Sequence, residues 1–151
     1  MSASRSNLET VHRQRQRRVE EIRDEYAAMM SRLRDEETQF ERLREVLTHT
    51  LLELARRQDE DMQPNELDAY YRFIAHQAAA VKDRREALTN LRTDCETKRA
   101  ILVHAKQDEQ LIAAVERSNR ETARRILGKQ EQHALDDLAS YRTMQNTSRD
   151  G

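Results

Sequence analysis

The sequence has no tryptophan, a single proline, two glycines and one cysteine, and only 4% of its residues are aromatic. Each scarcity removes a class of protein. Without aromatic and β-branched residues in quantity, a thick globular core cannot be filled, although 151 residues would allow one domain. The lone Cys95 has no partner for an intramolecular disulfide, which fits a reducing compartment. No apolar run is long enough to cross a bilayer, and the start MSASRSNLETVHRQRQRR has none of the apolar stretch of a signal peptide. A cytoplasmic location is expected.

What is abundant is charge. Asp, Glu, Lys and Arg make up 36% of the chain, yet 27 basic and 28 acidic residues leave a net charge of −1. Such a balance provides no overall attraction to nucleic acid or to anionic lipid. Rich in Ala, Glu, Arg, Leu and Gln, the composition belongs to long helices and coiled coils.

Spacing gives the helices an order. In the first half, His12, Val19, Tyr26, Leu33, Phe40, Leu47 and Leu54 recur every seven residues. A second row, Leu8, Arg15, Ile22, Met29, Glu36, Leu43 and Thr50, lies on the same face, as in a coiled-coil seam. Arg15 and Glu36 interrupt it and are candidates for fixing register. In the second half, Ile74, Val81, Leu88, Cys95 and Leu102 form a wholly apolar row. Its companion is either Tyr71, Ala78, Arg85, Arg92, Arg99 or Gln77, Arg84, Leu91, Lys98, Ala105, with arginine stems lying along the seam.

Pro64 stands between the two patterns. Asn65 is expected to cap the second helix with Asp68 at N3, and Pro64 to bias Gln63 away from helix. The expectation is an all-α, two-helix antiparallel coiled-coil hairpin with a protruding C-terminal helix, forming a single domain over 1–151. Its parts are a first helix over about 5–58, a turn at 59–64, a second helix over 65–143 and a disordered tail at 144–151. At ~1.5 Å per residue the second arm outruns the first, so about 119–143 should overhang. That overhang carries Leu127, Ala134 and Tyr141 at intervals of seven, with Leu138 between and Ile126 and Leu135 beside them. It reads either as a docking surface or as a frayed end with scattered apolar residues.

Charge is also sorted along the chain. Asp59, Glu60, Asp61, Glu66 and Asp68 crowd the turn, whereas Arg5, Arg13, Arg15, Arg17, Arg18 and Arg117, Arg120, Arg124, Arg125, Lys129 lie towards the open end. Such polarity would steer a partner by long-range forces, or be only two solvated faces.

Catalytic and metal motifs are missing. ILGKQ at 126–130 lacks the remaining glycine and hydroxyl of a phosphate loop. The five histidines show no two-ligand spacing, and Cys95 sits in an apolar row as a small hydrophobe. No enzyme activity, cofactor or metal is expected. HRQRQRR at 12–18 is basic but without interleaved aromatics, and reads better as a solvated helix face than as a phosphate-binding run.

Three stretches, NLETVHRQRQRRVEEIRDEYAA at the start, YYRFI in the middle and QEQHALDDLASYR near the end, together resemble the flagellar export FliJ family. The injectisome stalk proteins SctO/YscO are similar in shape. The resemblance implies a noncatalytic coiled-coil stalk, like the central stalk of rotary ATPases. Such a stalk binds and stimulates a hexameric, FliI-like export ATPase, couples it to an FlhA-like export gate protein and interacts with export chaperones. It would be peripheral to the inner membrane through that apparatus. Carried onto this chain, the ATPase surface is Arg13, Arg17, Arg18, Arg124, Arg125, Leu127, Leu138 and Tyr141. The gate surface is Gln39, Leu43, Phe73 and Ala80. Val46, Thr50 and Gln77 depart from the family pattern near the gate surface, and Asn7, where the family has an aromatic, leaves the choice between flagellar and injectisome systems open. A structural scaffold or tether without an ATPase partner is the alternative.

Overall fold

A computed structural model describes residues 2–150, with side chains from residue 3 onward. The architecture is two long helices that pack against each other as an all-α helical hairpin. Helix α1 runs Ser2–Gln58 with 57 residues, and α2 runs Pro64–Arg149 with 86. Both extend beyond the expected bounds. The stretch 144–149, expected in a disordered tail, is helical, and the Asp150 amide still donates to the Asn146 carbonyl.

The turn differs from expectation in one respect. Pro64 is the first residue of α2 rather than the residue before its cap. Gln63 holds the cap position, because its carbonyl accepts from the Glu66 and Leu67 amides at 3.1 and 3.2 Å. Proline suits this first helical position: it has no amide to leave unbonded, and its fixed φ is already helical. Asn65 and Asp68 therefore lie two positions further into the helix than expected, and Asp68 pairs with Arg72 at 2.9 Å. Arg56 and Arg57 in the last turn of α1, and Glu66 in the first turn of α2, each oppose the helix-end partial charge beside them.

The packing divides into two units: Met1–Arg17 with Lys106–Gly151, and Arg18–Ala105. In the second of these, the core follows the heptad rows. Leu33, Phe40, Val81, Leu88 and Cys95 form one buried cluster, with Met29, Met30, Leu43, Leu47 and Leu91 packed on it. Val19, Ile22 and Leu102 form another, flanked by Tyr26 and Ala105. The ion pairs progress from Glu25–Lys98, through Glu36–Arg84 and Glu37–Arg92, to Arg57–Glu66, so early residues of α1 meet late residues of α2 as antiparallel helices require.

The companion row of α2 is the one containing Gln77, Leu91, Lys98 and Ala105, all half-buried. Tyr71, Ala78, Arg85, Arg92 and Arg99 are exposed. Arginine nevertheless covers the seam from its edge: the guanidinium groups of Arg44 and Arg85 lie 5.8 and 5.9 Å from the Phe40 ring centre.

Candidate functional site

In the unit built from both chain ends, α1 contributes little apolar surface. Leu8 and Val11 are half-buried there, and His12 beside them makes the principal polar contact with α2. Its Nδ1 lies 2.6 Å from Glu116 Oε2 and its Nε2 lies 2.8 Å from Glu109 Oε1. Glu109 and Glu116 continue the interval of seven that begins at Ile74, so the apolar row of α2 ends in two carboxylates aimed at one histidine. Those carboxylates raise the His12 pKa above the ordinary histidine value, Glu109 most strongly, against the opposing effect of desolvation. Sequence reading placed His12 in the seam but missed its partners. The signal was the continued spacing 102, 109, 116, in which acids replace leucine.

From Arg117 to its end at Arg149 every residue of α2 is exposed, as is Asp150 after it. Arg124, Arg125, Leu127, Leu138 and Tyr141 all lie in this stretch, and Leu127, Leu138 and Tyr141 are 56%, 50% and 60% exposed. Ile126, Leu135 and Met144 add to the exposed apolar surface. Arg13 and Arg17 are exposed in the same unit, on α1. Arg18 falls in the other unit, where it approaches Glu21 at 3.9 Å.

The four residues carried over for gate binding all lie in the unit Arg18–Ala105. Gln39 and Phe73 are exposed; Leu43 packs on the Phe40 cluster and Ala80 is half-buried. Phe73 borders a cavity of about 400 Å³ near the turn, with Thr50, Glu53, Arg57, Glu66 and Tyr70 around it. There, Arg57 donates to the Tyr70 hydroxyl at 3.3 Å and to Glu66 at 3.1 Å. The acidic cluster at the turn is thus partly neutralised, since Glu66 and Asp68 both have arginine partners. Leu43 serves the core, so Gln39 and Phe73 are the accessible members of that set.

No group of three or more His, Cys, Asp or Glu among the described residues could hold a metal ion. His12, Glu109 and Glu116 do not converge on a point, because each carboxylate is already occupied by a ring nitrogen. Cys95 is a free, buried thiol in the apolar row. Among the described residues, no helix is long and apolar enough to cross a membrane.

A two-helix hairpin whose longer helix ends in an exposed apolar and basic stretch defines a class of coiled-coil proteins. The chain matches the family described as Flagellar FliJ protein over residues 4–148, and it belongs to that family. Membership makes it a component of the flagellar export apparatus. No curated protein and no solved structure matches it.

Proposed function

We propose that this chain is the noncatalytic stalk of a flagellar-type export apparatus, binding and stimulating the hexameric export ATPase. The observation that carries the proposal is the exposed end of α2, residues 117–149, in a chain of the FliJ family. Exposed Ile, Leu, Tyr and Met side chains in one helical stretch are the ordinary substrate of helix-in-groove recognition. Arg124 and Arg125 add charge-assisted contacts and steering towards an acidic partner. Arg13 and Arg17 on α1 contribute to the same attraction. Gln39 and Phe73 are the proposed contacts to the export gate, with Leu43 and Ala80 supporting them from the seam. Export chaperones are further partners, and the association with the inner membrane is peripheral, through the apparatus.

Adding the chain to its cognate ATPase should raise the rate of ATP hydrolysis and the hexamer fraction seen by light scattering. Replacing Leu127, Leu138 and Tyr141 together by aspartate should abolish both effects while circular dichroism stays unchanged, because these side chains are exposed. Stimulation that survives the triple variant would remove this surface from the reading. An ATPase that neither responds to the chain nor co-purifies with it would leave the scaffold reading in its place.

A further inference from the structure

We propose that His12, Glu109 and Glu116 form a proton-held clasp, in which the imidazolium on α1 joins two carboxylates one heptad apart on α2 and its deprotonation loosens the N-terminal segment of α1. The argument begins with donors and acceptors. Ionised carboxylates only accept hydrogen bonds, and both ring nitrogens lie within bonding distance of one, at 2.6 and 2.8 Å. Both nitrogens must therefore donate, which only the doubly protonated ring can do. A neutral ring would turn a lone pair towards one carboxylate and lose that contact.

The surroundings favour this state. The charges acting on His12 are those of Glu109 and Glu116, and both favour the imidazolium. On α2, Arg120 lies 3.9 Å from Glu116 and offsets part of its charge, while half-buried Asp108 adds an acid beside Glu109. On α1, Arg5 and Glu9 border the adjoining cavity with Glu116, one charge of each sign. Glu116 is 7% exposed, so leaving its carboxylate without a donor there is costly.

The segment has little else to hold it. Between residues 3 and 17 no residue is fully buried, and Leu8 and Val11 are the half-buried apolar ones. A cavity of about 670 Å³ already separates part of this segment from Ala123 and Ile126 of α2. Because the folded-state pKa of His12 is raised, the clasp is fully formed below the unfolded value of about 6.5 and lost as pH rises through the folded value. The device therefore opens on the alkaline side.

The experiment uses the full chain. NMR titration of the His12 ring should give a midpoint above about 6.5, with both nitrogens protonated below it. Glu109→Gln and Glu116→Gln should each lower that midpoint. Hydrogen exchange, corrected for intrinsic rates, should show residues 3–17 losing protection about tenfold for each pH unit by which the midpoint exceeds the unfolded value. Residues 18–105 should not follow, and they serve as the internal standard. His12→Gln should remove the step, leaving the segment unprotected at every pH. A midpoint at or below the ordinary histidine value overturns the clasp. So does a protection step that persists in His12→Gln, or a His12→Gln segment as protected as the wild-type one.

Discussion

Gln77 shows how a single side chain departs from its row. It occupies the companion row of α2 between the packed helices, and its Oε1 is buried with no hydrogen-bond partner among the described residues. A buried acceptor left unpaired costs about 1–3 kcal/mol. Gln77→Leu should therefore raise stability by about 1 kcal/mol or more, seen as a later midpoint in urea at unchanged slope. Glu25 gives a test of opposite pH sense to His12. Lys98 holds its carboxyl below the ordinary glutamate range. The depressed folded value makes this stabilisation complete above the unfolded pKa of about 4.5 and lost as pH falls through the folded one. Lys98→Met should flatten that acid-side loss without altering the alkaline step assigned to His12. Neither pairing was legible beforehand, because Glu25 and Lys98, like His12 and its acids, are distant in sequence and meet only once register is known.

The two helices differ in how far their sequences announced them. The row Ile74, Val81, Leu88, Cys95, Leu102 was readable because apolar residues recur without a break, and four of its five members are fully buried. Its companion was not, since Arg, Lys and Gln alternate with few aliphatics and a long charged stem can border a seam or leave it. The cap was misplaced by two residues, at Asn65 rather than Gln63, because Asn is the stronger side-chain cap, whereas proline preference for the first helical position decided it. Burial predicts unequal mutational costs. Leu88, 3% exposed, should cost about 2–5 kcal/mol on replacement by alanine. Leu135, 61% exposed, should change stability by less than about 0.5 kcal/mol. Gly128 lies in the exposed stretch with nothing within 4 Å of the position of an added Cβ. Gly128→Ala should strengthen the local helix by about 1 kcal/mol, measured as slower exchange of the neighbouring amides.

For the chain as a whole, the decisive asymmetry is that of its arms, 57 residues against 86. The off-centre turn made this visible in the sequence, since a single proline divided one long periodic pattern unevenly. What the excess serves was not visible, because an exposed apolar stripe has the same pattern whether it docks or is merely solvated. Stability and function can be separated here, since every residue from Arg117 to Asp150 is exposed while both apolar core clusters lie within Arg18–Ala105. Deleting residues 117–151 removes no buried side chain among those described. The truncated chain should keep the thermal midpoint of its core within a few degrees and lose helical signal only in proportion to the helix removed. Under the proposed function it should also lose stimulation of the export ATPase completely. A truncated chain that still stimulates would move the ATPase surface to Arg13 and Arg17 on α1. One whose core melts much earlier would show that the exposed end stabilises the packed helices, a role its lack of burial argues against.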